Sequence, residues 1–372
     1  MEKKIWKQQV NTLIEAMAPE LMEMSLFLHQ HPELGGLEYQ AASCLKTAAA
    51  KRGFTIKENI SGYETAFIAH KGERGPGIAF LAEYDALPEL GHACGHNLIA
   101  AMSWGAAAAF AAVAAERAVS YFVGCPAEES SGAKAAMADE GIFDRLRAVL
   151  ITHPSSSNNI GGTSYATHPL QVTYHGRSAH VASKTNKGIN ALSALILFYQ
   201  GLASLRQTFT NETILAGIIT RGGTAPNIVT SEAEGKFTIR ALSSCYLEET
   251  VIPAVKKLAE GIALATGTTV ETLHYEPLFK ELLNDPQLMK LYLENMNLLG
   301  EKVTLLKPEY ANGSTDVGNV SHIAPTIHPD IFIGSNIAAH TPVFAAAAGS
   351  PYAQERLLIG AKAMAMTAVD LL

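Results

Sequence analysis

An α/β fold is predicted for this chain: a mixed, largely parallel sheet flanked by helices and interrupted by an inserted, ferredoxin-like β-α-β-β-α-β domain. Three observations predict it. The chain has 372 residues, 48% hydrophobic and 17% charged, more than one hydrophobic core accommodates, so two domains are expected. Over the first 165 residues short apolar runs alternate with helical stretches, the pattern of buried strands covered by helices. The middle third instead runs strand, helix, strand, strand, helix, strand, the order of a split β-α-β unit.

In chain order, MEKKIWKQQVNTLIEAM reads as an amphipathic helix, with acidic residues and no apolar stretch of signal-peptide length. Ala41 to Arg52 is helical, and Ile78 to Ala82 is a short apolar strand. Leu98 to Arg117 is the next helix, and its stretch Leu98 to Ala115 is apolar but for Ser103. Alanine and glycine dominate that stretch and insert weakly, so a helix in a soluble core is expected rather than a membrane span. Ser120 to Gly124 and Ala148 to Ile151 are further buried strands. In the middle third the strands are Leu170 to His175, Thr213 to Thr220, Glu232 to Leu242 and Thr268 to His274. Its helices are Ile189 to Leu205 and Tyr246 to Ala265. From about Glu276 the helix and strand alternation resumes, with Asp330 to Gly334 as a strand and Pro351 to Leu372 as an apolar-striped helix.

The formal net charge is -7, without a lysine or arginine run, which argues against nucleic acid or an anionic membrane surface as partner. The four cysteines, Cys44, Cys94, Cys125 and Cys245, have no disulfide-framework spacing, so a cytoplasmic location is expected.

Chemistry concentrates after the strands. Glu83 and Asp85 follow the first, Glu128 and Glu129 the second, and His153 the third. Open α/β sheets bind ligands beyond the carboxyl ends of their strands, so these groups are expected to share one crevice. The loop Gly91-His92-Ala93-Cys94-Gly95-His96-Asn97 joins them. Cys94 and His96 can point at a metal, with His92 as a third candidate; thiolate and imidazole suit zinc, and carboxylates also admit manganese. The plainer alternative is a buried free cysteine beside surface histidines, and a redox thiol is a further one. Glu128-Glu129 reads either as a solvated turn or as a pair in which one carboxylate holds metal and the other takes a proton from bound water. Asn97 has its own simple role as N-cap of the alanine-rich helix.

At these residues the chain resembles the aminoacylase/carboxypeptidase family of two-metal peptidases. The resemblance rests on Ala82-Glu83-Tyr84-Asp85-Ala86-Leu87-Pro88, on the Gly91–Asn97 loop, on Pro126-Ala127-Glu128-Glu129 and on His29-Gln30-His31-Pro32-Glu33-Leu34. Three motifs further along extend it, His175 to His180, Gly222 to Asn227 and Ser314 to Ser321. Within the family the match is to the amidohydrolase branch that holds aminobenzoyl-glutamate hydrolase subunits and β-alanyl-lysine-type dipeptidases. The resemblance implies two divalent metal ions per subunit, zinc or manganese, with ligands Cys94, His96, Glu129, His153 and His340, and Cys94 bridging. Glu128 is then the general base, and Asp85 a carboxylate that orients a ligand. It also implies a homodimer in which His180 reaches the partner's site, while Asn227 and Arg240 hold the carboxylate of a small acyl-amino acid or dipeptide. The catalytic domain is expected over 1–167 and 276–372, with 168–275 as the inserted dimerisation or lid domain. Two departures stand out: Asn97 where many relatives carry Asp, and Glu83 where other branches place a histidine. His328 is a rival to His340 as last ligand. A different class of function, a catalytically inactive relative that binds or regulates, is the alternative to an amide-hydrolysing enzyme.

Overall fold

The computed structural model describes residues 2–114, 116–183 and 187–372. The chain divides into two compact units: 1–163 with 282–310 and 316–372, and 164–281 with 311–315.

The first unit opens with helices α1 (Glu2–Ala16), α2 (Ala18–Gln30) and α3 (Tyr39–Lys51). Strands β1 (Thr55–Ile60) and β2 (Tyr63–Lys71) pair antiparallel. Then come β3 (Gly77–Ala82), α4 (His96–Ala114), β4 (Val119–Gly124), α5 (Ala133–Asp139) and β5 (Leu146–Leu150). Two short strands, β6 (His153–Ser155) and β7 (Asn159–Thr163), close this part. In this pair β1 is polar and mostly exposed, and the apolar run of β2 is confined to residues 66–69, a weak signal by periodicity alone.

The second unit runs β8 (Ala166–His175), α6 (Ala191–Arg206), β9 (Ile214–Arg221) and β10 (Glu232–Ala241), then α7 (Ser244–Tyr246), α8 (Ile252–Thr266) and β11 (Thr269–His274). Its strands form a wholly antiparallel sheet in the order β11-β8-β10-β9, the ferredoxin-like arrangement. The stretch expected as one helix from Tyr246 is broken by a π turn at Leu247–Val251, just ahead of Pro253. Proline lacks the N–H that a continuous helix needs at that point. Phe237, Ile239 and Ala241 face the core and pack with Leu170, Val172 and Phe198.

The chain then returns to the first unit with α9 (Pro286–Leu298), β12 (Thr304–Ala311), α10 (Val317–Ser321), β13 (Thr326–Ile327), β14 (Asp330–Phe332), α11 (Pro342–Ala348) and α12 (Pro351–Asp370). The main sheet has the order β1-β2-β4-β3-β5-β13, and β4, β3, β5 and β13 are mutually parallel. The strand predicted at 330–334 shortens to β14, which joins the small sheet β12-β7-β14-β6.

Helix α4 sits at the centre of this unit, packed by α1, α2, α12 and β3. It is long and apolar enough to cross a membrane, but 89% of its 18-residue apolar window is buried inside the unit. Its small residues have a packing cause. A Cβ at Gly105 would stand 2.8 Å from Leu21 Cδ1, so the neighbouring helices approach too closely for larger side chains.

Candidate metal centre and active site

Because β4, β3 and β5 are adjacent and parallel, the segments that follow them leave the sheet side by side. The site is built from those segments and from the loop that opens α4. In that loop Gly95 has φ +77°, and a Cβ there would lie 2.4 Å from Pro154 Cγ. Only glycine lets Cys94 and His96 come this close to the strand that carries His153.

Among the described residues, four side-chain sets bring potential metal ligands within 4.8 Å of one another. Cys94, His96 and His153 form one, and Cys94, Glu129 and His340 another. His96, Glu128 and Glu129 form a third, so the first three overlap in one cluster. Cys94 is common to the first two sets and lies between them. All five residues expected as ligands are therefore brought together, and Glu128 stands beside them. The fourth set is Glu83, Glu128 and Asp316.

The imidazoles are pre-oriented. His96 Nδ1 donates to Asp85 Oδ1 at 2.8 Å, while Asp85 Oδ2 accepts the Glu129 N–H at 2.9 Å. His153 Nδ1 donates to the Pro154 carbonyl at 2.7 Å. Both rings thus keep Nδ1 engaged as a donor and aim Nε2 inward, the arrangement that metal-binding histidines share. His96 Nε2 and Glu129 Oε1 are buried without a hydrogen-bond partner among the described residues, a costly state unless something else satisfies them. Cys94 Sγ lies 3.4 Å from His153 Nε2, and His340 Nε2 lies 3.2 Å from Glu129 Oε1. Tetrahedral bonds of about 2.0–2.3 Å place two ligand atoms of one ion roughly 3.4 Å apart. The residues present fit divalent metal on both counts.

Protonation follows burial and charge. Burial pushes the Cys94 thiol up to about 12, and holds His153 down at about 3 and His328 at about 4. For His96 burial opposes the charged form, but the Asp85 carboxylate outweighs it and holds the ring well above its ordinary value. At neutral pH, then, Cys94 and His96 carry protons that a metal must displace, whereas His153 carries none. Metal binding to the metal-free protein is expected to release roughly two protons at pH 7 and to weaken as pH falls. Calorimetric titrations in buffers of different ionisation enthalpy would measure this, and absence of proton release would remove Cys94 from the ligand set.

Glu128 has a different setting. Burial, then the Glu83 and Asp316 carboxylates, hold its carboxyl well above the usual range. The residue before it, Ala127, adopts φ +60° without being glycine. Glu38, buried and unanticipated from sequence, accepts the Ala127 N–H at 2.8 Å and the Gly36 N–H at 2.9 Å through Oε1. It also accepts the Thr65 hydroxyl at 2.9 Å. These bonds fix the turn that aims the carboxylate pair.

Lys134 also escaped sequence reading, because an isolated lysine is by default a surface residue. It is fully buried, with Nζ 2.7 Å from both Glu83 and Asp316. Its ammonium pairs with two members of the fourth set, Glu83 and Asp316, and offsets their charge there. Lys134→Met would strand two buried carboxylates, and a loss of roughly 3–5 kcal/mol is expected from denaturant unfolding.

Asn97 is not the helix cap: α4 already begins at His96, and Asn97 lies inside the first turn, fully buried. His92 is buried outside the four sets, its ring stacked 6.3 Å from that of His29. His328 lies with its ring 5.6 Å from His153 and is in none of the sets, unlike His340. In the second unit His180 and Asn227 lie on neighbouring exposed loops, joined by the Val181 N–H to Asn227 carbonyl bond at 3.1 Å. Arg240 lies on β10, on the face opposite the core residues Phe237 and Ile239.

Residues 79–366 match the model of peptidase family M20/M25/M40. The chain belongs to this family. Its M20 relatives include the Xaa-Arg dipeptidase of Mus musculus, 36% identical over 395 residues, covering 100% of this chain and 90% of the mouse protein. A p-aminobenzoyl-glutamate hydrolase component of Escherichia coli K12 is 33% identical over 289 residues, 70% of this chain and 59% of that one. A Bacillus subtilis dinuclear metal-binding peptidase of the M20 family has the same fold, with TM-score 0.72, 22% identity and coverage of 96% of this chain and 99% of that one. The chain is accordingly a metal-dependent hydrolase of amide bonds, and the two-unit α/β architecture is that of M20 peptidases.

Proposed function

We propose that this M20 enzyme binds two divalent ions, zinc or manganese, and cleaves small substrates ending in a free carboxylate. Dipeptides with a basic C-terminal residue come first among these, and aminobenzoyl-glutamate and β-alanyl dipeptides follow. The observation that carries the proposal is Cys94's place in two ligand sets at once, with Glu128 beside both. The substrate order rests on likeness to the Xaa-Arg dipeptidase along the whole chain.

Cys94, His96, Glu129, His153 and His340 would hold the ions, which supply Lewis acidity and make the attacking water more acidic. Asp85 keeps His96 in its liganding tautomer. Glu128 accepts one proton from the attacking water as the C–O bond forms, then returns it to the amine nitrogen as the C–N bond breaks. The products are a carboxylic acid and a free amine, and Glu128 ends as it began. Asn227 and Arg240 pair with the substrate carboxylate, Arg240 through its planar fork. His180 of a second copy of the chain stabilises the oxyanion.

A homodimer is supported by the second unit's surface. Strand β9 is an unpaired sheet edge that exposes Ile214, Ile218 and Ile219, and α6 exposes Ile196, Leu197 and Tyr199. An apolar edge of this kind is a pairing surface. A cytoplasmic location is supported by four cysteines that are all free.

The test is to mix Glu128→Gln subunits with His180→Ala subunits and assay Xaa-Arg, β-alanyl and aminobenzoyl-glutamate substrates. Hybrid dimers should recover activity that neither parent has. Metal-loaded wild-type protein without turnover on any of them would favour a binding protein instead.

A further inference from the structure

The geometry points to Asn97 as the positioning residue for His340, acting through helix α11. This rests on the reading of His340 as a metal ligand. The side chain of Asn97 turns away from the ligand cluster. Its Nδ2 donates to Ser25 Oγ at 3.0 Å, with the Ser25 carbonyl at 3.4 Å, and to the Ala348 carbonyl at 3.3 Å. Ser25 lies on α2, and Ala348 is the last residue of α11. One amide therefore joins α2, α4 and α11.

Helix α11 depends on side-chain anchors of this kind. It has seven residues, too few to hold a position by themselves. His340 stands just before its cap residue, Thr341, with φ +62°, and its N–H donates to the Ala93 carbonyl at 2.9 Å. The imidazole thus projects from a strained junction between the metal loop and α11, and its ring is more than half exposed. Where α11 sits decides where His340 Nε2 falls relative to Cys94 and Glu129. Two further donors act on the same helix: His29 Nε2 bonds the Ala345 carbonyl at 2.8 Å, with its ring against Gly349, where a Cβ would come 2.6 Å from the ring, and Gln354 Nε2 shares the Ala348 carbonyl with Asn97 at 3.1 Å.

The contact also accounts for the amide at position 97. A carboxylate there keeps one partner, because the Ser25 hydroxyl can rotate to donate, but it has nothing to offer the Ala348 carbonyl. Asn97→Asp removes the tie between α4 and α11 and leaves the Ala348 carbonyl only its bond from Gln354. Ser25→Ala removes the α2 hydroxyl and spares that tie.

The experiment titrates manganese into metal-free, full-length wild type, Asn97→Asp, His29→Ala, Ser25→Ala, His340→Ala and the Asn97→Asp/His340→Ala double variant. His340→Ala should weaken one of two ions and spare the other. Asn97→Asp is expected to weaken the same ion roughly 10- to 100-fold, His29→Ala to act in the same direction, and Ser25→Ala to leave both ions unchanged. The double variant should bind no more weakly than His340→Ala alone, since both changes act through one ligand. Equal loss of both ions in Asn97→Asp, additive losses in the double variant, or wild-type binding would each overturn the assignment. If His340→Ala itself leaves both ions unchanged, the ligand reading fails and takes this proposal with it.

Discussion

Replacing Glu128 with Gln is expected to lower kcat roughly 10²- to 10⁴-fold with bound metal retained. The substitution keeps the shape of the side chain and removes the site that accepts the proton. The stability of the metal-free protein should move the other way. Burial and the nearby Glu83 and Asp316 carboxylates raise the Glu128 carboxyl in the folded state. A raised carboxyl contributes stability at pH below its unfolded value of about 4.5 and loses that contribution as pH climbs through the folded value. At neutral pH the wild type has lost some or all of it, while the Gln variant has nothing to titrate. Metal-free Glu128→Gln should therefore unfold at higher denaturant than metal-free wild type at pH 7. An ordinary structural residue would lose stability and activity together. Thermal or urea unfolding at several pH values, beside kcat with elemental analysis of bound metal, would separate the two. Retained activity would end the general-base role.

The strand ends were legible because parallel strands in α/β sheets must deliver their loops to one edge, and the apolar runs ending at Ala82, Gly124 and Leu150 are unmistakably buried. Cys94, His96, Glu128, Glu129 and His153 followed from that rule and from residue chemistry. The inserted unit was legible because its alternation is clean in β10, where buried and half-buried residues alternate without a break. The hairpin of β1 and β2 was not, since its outer positions are polar. Lys134 and Glu38 were invisible for a different reason. Each has value only through partners distant in sequence, Asp316 at 182 residues' separation and Ala127 at 89, and no local pattern encodes such a pairing. Asn97 shows a third kind of limit. Its position before an alanine-rich run fits a cap, but helix entry at His96 turned the side chain towards Ser25 and Ala348 instead.

Cys94→Ser should do more damage to metal binding than the loss of either His153 or His340. Cys94 belongs to the set with His96 and His153 and also to the set with Glu129 and His340, whereas His153 and His340 each belong to one. Removing His153 or His340 is expected to weaken one ion; removing the thiol should weaken both. Serine makes the argument sharper than alanine does, because it preserves volume and polarity yet does not ionise to a soft thiolate at neutral pH. In the metal-free state Cys94 is a neutral, half-buried thiol, so the same change should cost only about 1 kcal/mol there. The expected signature is thus a wild-type-like metal-free protein that no longer gains thermal stability from added zinc or manganese, since stabilisation by a ligand follows its affinity for the folded state. Elemental analysis and melting curves with and without metal would show it. Loss of one ion alone would confine Cys94 to a single set and transfer the bridging role to a carboxylate, Glu129 being the one that shares sets with His96 and His340.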